Sequence, residues 1–111
     1  MDVEVEILEE QFNKDENTWE TYNGENFTFN AKSVKDAFWK ACEELDFRED
    51  IIEDVWKNRT KKENQLFLNS GKKQQIGFIG NLGFENFDGQ DYQIRYKFIF
   101  NKVDREFLDV K

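Results

Sequence analysis

Apolar and polar residues alternate at the start of the chain, Val3, Val5 and Ile7 against Glu4 and Glu6, the pattern of a strand with one buried face. Residues 18–22 (TWETY) and 25–30 (ENFTFN) continue in the same manner on either side of Asn23-Gly24. Asn-Gly suits a two-residue turn that needs positive φ at both central positions, so the pattern predicts a hairpin here. On that register Tyr22, Phe27 and Phe29 share one face and Trp19 takes the other.

The spacing then turns helical. Val34, Ala37, Phe38, Ala41 and Leu45 recur at three- and four-residue intervals, which gathers them on one side of a helix. Ser33 with Asp36 three residues later is a capping box with Asp in the usual Glu position. The same phase runs on through Ile52, Val55 and Trp56, interrupted at Arg48, and no Gly or Pro intervenes. The expectation is a long or bent helical segment over 33–58 with a break near 46–49, where Asp46 and Glu49 are placed to cap a second start.

Beyond the basic segment 57–62, strand patterns return. Residues 65–69 (QLFLN) are short and apolar, and Ser70-Gly71-Lys72 has turn character. In 76–84, glycines occupy every third position, Gly77, Gly80 and Gly83. A phosphate-cradling loop requires a helix to open directly after the glycines, and no helical pattern follows. The period of two instead puts Ile76, Phe78, Leu82 and Phe84 on one face with Gly80 among them, and Gln75, Gly77, Ile79, Asn81 and Gly83 on the other. Tyr92, Ile94, Tyr96, Phe98 and Phe100 alternate with Gln93, Arg95, Lys97, Ile99 and Asn101. The two segments form a long hairpin through Asp88-Gly89, with a bulge expected at Gly80. A last strand is expected at 106–110 (EFLDV). Together these elements predict an α+β fold in a single domain over 1–111, with an antiparallel sheet of about five to seven strands and the 33–58 segment packed on its aromatic face.

Twelve Phe, three Trp and three Tyr in 111 residues supply enough bulky side chains for a core without staples. Charge is unevenly divided. Residues 1–56 hold seventeen acids and five bases, a net −12, and 57–111 hold seven acids and eleven bases, a net +4, within a total of −8. Phosphate contacts dominate nucleic-acid affinity, so direct nucleic-acid binding is not expected, and a basic partner protein is. Solubility alone also accounts for the acidity. No stretch approaches the ~20 apolar residues of a membrane span, the first residues lack a signal-peptide pattern, and a lone cysteine suits a reducing cytosol. A cytoplasmic location follows as the expectation.

The chain has no histidine, which removes the commonest general base and the ordinary zinc sets. Cys42 lies at the edge of the apolar helical stripe and reads as a core thiol. Glu85, Asp88 and Asp91 are oxygen donors of the kind Mg²⁺ or Ca²⁺ prefers, but their spacing matches no EF-hand and Asp-Gly is ordinary turn chemistry. No catalytic residue, metal or cofactor is assigned. The more specific feature is acidic: Asp46, Glu49, Asp50, Glu53 and Asp54 fall at the spacing of one helical face, and Glu43 extends the stripe one turn back. Over Asp46–Asp54 such a stripe is about 12 Å long. Like charges at this spacing weaken a helix, so the stripe is either a binding surface or a solvated face aided by acids near a helix start. Arg95, Lys97 and Ile99, beside the small Gly77 and Gly83, form a second, mildly basic candidate surface.

These features favour a small acidic, non-enzymatic binding protein, an inhibitor that sets an acidic helix face on a basic and nucleic-acid-binding partner. In size and charge the chain is similar to phage anti-defence proteins, nucleic-acid mimics and toxin-immunity proteins, without a shared motif. The alternatives are a structural accessory protein whose acidity serves solubility, and a small carboxylate-dependent metal enzyme. Oligomeric state stays open.

Overall fold

The computed structural model describes residues 2–66 and 75–101. Four strands, β1 (Asp2–Asn13), β2 (Thr18–Asn30), β3 (Ile76–Phe87) and β4 (Gln90–Asn101), form one antiparallel sheet in the order β2-β1-β4-β3. Two helices, α1 (Val34–Glu44) and α2 (Glu49–Asn58), lie between the hairpins in sequence, and a single 3-10 turn follows at Lys62–Asn64. The α+β class and the antiparallel sheet are as expected. The strand number is four among the described residues, not five to seven, and the 33–58 segment is two helices. The expected strand at 106–110 and most of that at 65–69 lie outside the described residues; Gln65 forms an isolated bridge to Phe78.

One strand fewer arises because Asn23-Gly24 does not turn. β2 runs straight through it, pairing Asn23 with Glu9 and Gly24 with Leu8. A turn there would have left the first strand without a partner along most of its length. The continuous strand instead pairs β1 from Asp2 to Asn13, and tertiary pairing overrides the local turn preference. The hairpin closes at 14–17. The Asn13 side-chain oxygen accepts the N–H groups of Asp15 and Glu16, and Asn17 takes the left-handed φ of 56°. A register shift opposite Glu9 and Glu10 leaves Tyr22 as an extra residue in β2. This bulge, not a turn, keeps Tyr22 on the side of Phe27 and Phe29 with Trp19 on the other.

The β3–β4 hairpin turns at Asp88 and Gly89, with φ of 50° and 81°, as its Asp-Gly pair predicts. The expected bulge at Gly80 falls instead between Asn81 and Gly83. Gly83 therefore sits opposite Ile94 and Phe84 opposite Gln93, which turns Phe84 away from the core side and leaves it 67% exposed. Gly80 has a different purpose. A Cβ built there would stand 2.8 Å from a Val55 methyl and 3.1 Å from the Phe98 ring, so α2 crosses β3 where only glycine fits.

Ser33 caps α1 as expected, its hydroxyl accepting the Asp36 N–H at 3.1 Å. The Asp36 carboxylate bonds back to the N–H of Lys32, not of Ser33, and that bond, helped by Lys40, holds its carboxyl below the usual range. α1 ends in a Schellman motif: Phe47 N–H bonds Cys42 O, Asp46 N–H bonds Glu43 O, and Asp46 takes φ 56°. The residue expected to cap a second helix instead terminates the first, and Arg48 is the N-cap of α2.

The helices cover one face of one end of the sheet. Val34, Ala37, Phe38, Ala41 and Cys42 of α1 and Ile52, Val55 and Trp56 of α2 pack on Val3, Val5, Ile7, Phe78, Phe98 and Phe100. Phe38 is central, its ring 5.0 Å from Phe98, 5.4 Å from Phe78 and 5.5 Å from Trp56. The strand register places the turns at 14–17 and 88–89 together at the opposite end, where Phe84 and Phe87 are exposed.

Truncating the fully buried Phe98 to Ala should cost about 3–5 kcal/mol in chemical denaturation; a loss under about 1 kcal/mol would mean that its ring is not core. Gly80→Ala should cost about 1–3 kcal/mol by overpacking, and Val55→Ala in the same chain should recover part of that loss. A neutral Gly80→Ala would contradict the close crossing of α2 over β3.

Candidate functional site: an acidic helical layer and a clamped carboxylate

The six acidic candidates all reach solvent, but they do not form one helical face. Glu43 lies near the end of α1, Asp46 in the Schellman turn, and Glu49, Asp50, Glu53 and Asp54 on α2. Glu43 and Asp46, with Glu44, border a groove of about 570 Å³ floored by Phe29 and Asn30 of β2, and Lys40 enters it from α1. Asp54 borders a second groove of about 380 Å³ against Gly80 and Asn81 of β3, on the same face at the opposite margin of the sheet. The helix break therefore divides the stripe. A continuous helix was the geometric premise of a single stripe, and the left-handed φ of Asp46 removes it.

Among the described residues, the one ion pair made by any of the six is that of Asp50 with Arg48, at 2.9 Å. Arg48 stands in the break and donates two hydrogen bonds to Asp50, which hold its carboxyl below the usual range. Both groups are exposed, so the pair contributes little to stability. Glu49 and Asp50 occupy the first turn of α2, where the helix dipole favours them. Asp54 accepts from the Asn58 side chain at 3.1 Å.

The second candidate surface has a different character. Arg95 and Lys97 project from the face of β4 turned away from the helices, and both turn to Glu10 of β1: Arg95 Nε lies 2.7 Å from one carboxylate oxygen and Lys97 Nζ 3.1 Å from the other. The Thr21 hydroxyl donates to Glu10 as well, at 3.2 Å. Arg95 also lies 4.1 Å over the Trp19 ring. Ile99 is buried, Gly77 stands beside it, and Gly83 has left this face through the register shift. The cations are thus paired within the fold, in an assembly centred on a glutamate that is 3% exposed. Burial pushes the Glu10 carboxyl up, but hydrogen bonds and charge from Arg95 and Lys97 outweigh it and hold the group below its ordinary value.

Nothing in the sequence singled out Glu10 among so many acids. Its signal is positional: in the alternation of the first strand it shares a face with Glu4 and Glu6 and lies opposite Arg95 only once β1 is paired with β4. Its neighbour Glu9 points to the helical side and accepts the Tyr22 hydroxyl. Burial, then that contact, raises the Tyr22 phenol; burial and the Glu9 charge raise Tyr96.

Cys42 is fully buried and its thiol is pushed up to about 12, first by burial and then by Glu43, so it carries no thiolate at neutral pH. Glu85 lies opposite Tyr92 in the hairpin, Asp88 makes the turn, and Asp91 accepts from Asn86; among the described residues no three Cys, Asp or Glu side chains gather as a metal site. No helix is long and apolar enough to cross a membrane among the described residues.

The chain matches no family model, no curated protein sequence and no solved structure.

The depressed Glu10 carboxyl makes a signed prediction. A group whose folded pKa lies below its unfolded value stabilises the fold above the unfolded value, near 4.5, and that contribution disappears as pH falls through the folded value. Glu10→Gln should therefore flatten the acid limb of the stability curve below about pH 5. At neutral pH it should cost about 3 kcal/mol, since Arg95 and Lys97 lose their shared partner. An acid limb unchanged in Glu10→Gln would show that the clamp does not contribute.

Proposed function

We propose that the protein is a non-enzymatic binding protein of the inhibitor type, which sets the acidic solvent side of its helical layer on a basic, nucleic-acid-binding partner protein. The observation that supports this reading is the division of charge between the two faces. On the helical side, Glu43, Asp46, Glu49, Glu53 and Asp54 are exposed and make no ion pair among the described residues, while on the face turned away from the helices Arg95 and Lys97 are paired with Glu10. Glu10 offsets one of the two charges of Arg95 and Lys97, and over 34–58 eight acids outnumber the four bases Lys35, Lys40, Arg48 and Lys57, so the helical layer keeps a net acidic field. Such a field steers encounter and is screened over about 8 Å at physiological ionic strength.

The break between α1 and α2 makes this surface broader than a single stripe. It spans from the groove beside β2 to the groove beside β3, which suits a protein surface better than one strand of a polyanion-binding cleft. The acids of the first turn of α2 are also favourable to the helix itself, so a purely solvated face is the competing reading.

The two readings separate on one variant. With a partner isolated by affinity capture and then purified, Asp50, Glu53 and Asp54 changed together to Lys should abolish binding while leaving the melting temperature within a few degrees. In the unaltered protein the association rate should fall steeply with added salt. Unchanged affinity and salt dependence in the triple variant would leave these acids a solvated face and remove the proposal.

A further inference from the structure

Within that reading, on which it rests, the structure points to a particular mode of docking: we infer that β2 is a receiving edge, to which the partner adds an extended segment carrying Lys or Arg at alternate positions. β2 is thirteen residues long and stands at the margin of the sheet. Among the described residues it has a strand partner on one side only, β1. Natural edge strands of this length are commonly blunted by Lys or Pro. β2 contains neither; it is blunted by the bulge at Tyr22 and by the carboxylates of Glu20 and Glu25, which repel an acidic strand and attract a basic one. Its far end is closed, because Lys40 Nζ lies 2.9 Å from the Asn30 carbonyl oxygen, so the stretch on offer is 18–29.

An added strand alternates its side chains between the two faces of the sheet. Those on the helical side meet the groove between β2 and α1, about 570 Å³ in volume, bordered by Glu43, Glu44 and Asp46. The cation already in that groove, Lys40, is engaged by Asp36 at 3.3 Å and by the Asn30 carbonyl. Glu25, opposite Ile7, adds a fourth carboxylate on the same side. Phe27 and Phe29, stacked at 5.7 Å, give the aliphatic stems of Lys or Arg an apolar surface to lie on. Backbone hydrogen bonds then supply affinity and the groove supplies selection, as in other strand additions.

Charge also decides between possible occupants. A second copy pairing its β2 antiparallel to this one would set two edges that carry carboxylates (Glu20, Glu25) and no Lys or Arg side by side, which costs free energy. A basic segment reverses the sign of every such contact.

The test uses the whole protein and a synthetic peptide of about ten residues alternating Lys and Val, long enough to match the edge. Amide hydrogen exchange should show new protection in β2 on addition of this peptide. An otherwise identical peptide N-methylated at alternate residues, which keeps the charge but cannot pair with the edge, should give none. The combination Glu43→Lys, Glu44→Lys and Asp46→Asn should weaken peptide binding about tenfold or more. Asn tolerates the left-handed φ at 46, and Lys in the last turn of α1 suits the helix dipole, so the variant should fold. The proposal is overturned if the N-methylated peptide binds as well, if protection falls on β3, or if the outward β2 amides are already protected in the free protein, whether at low concentration or only on concentrating it. Because this readout is independent of α2, loss of edge protection with Asp50, Glu53 and Asp54 still needed for partner binding would remove strand addition and leave the broader function standing.

Discussion

The pairing of β1 with β4 holds the molecule together. The β1–β2 and β3–β4 hairpins could each form locally, but each exposes an apolar face that neither can bury alone. Joining β1 to β4, from Glu4 opposite Asn101 to Gln11 opposite Ile94, makes one surface wide enough for both helices. It also creates the environment of Glu10. The carboxylate belongs to one hairpin and its cations to the other, across 85 positions of sequence, so the clamp exists only when the central pair has formed.

The helical layer follows from that surface. Phe38 contacts aromatic rings from both β3 and β4 and from α2, and α2 reaches its place by crossing β3 at Gly80. The Schellman turn between two short helices lets the apolar sides of both pack on the same end of the sheet. The turn between them sends Glu43 and Asp46 toward one margin of the sheet and Asp54 toward the other.

Much of this was legible in the chain. The alternation in 92–100 gave the faces of β4 correctly, the helical spacing identified the buried side of α1 and α2, and Ser33 and Asp88-Gly89 marked a cap and a turn. Asn23-Gly24 and Gly80 read locally as a turn and a bulge, and each is set by a distant partner, Leu8 and Glu9 for the first and Val55 for the second, whereas Asp46 closes α1 by a local Schellman motif with Cys42 and Glu43. Phe84 departs from its expected face because the extra residue Leu82 reverses every face beyond it in β3. For the candidate site, the sequence showed which residues are acidic and exposed, but not that the helix break spreads them, nor that Arg95 and Lys97 are committed to Glu10.

The place of β4 in the sheet also governs when the protein can fold during its synthesis. β1 leaves the ribosome first, yet its second neighbour is not made until residues 94–101 are polymerised. Until then the nascent chain carries a hairpin and two amphipathic helices with their apolar sides uncovered, including Phe38 and Trp56. Long-range pairing of this kind slows folding and lengthens the exposure of sticky intermediates. β2, without Lys or Pro, leaves its edge unpaired over the same interval, and the excess of seventeen acids over five bases in residues 1–56 sets like charge between neighbouring nascent copies before the sheet is complete.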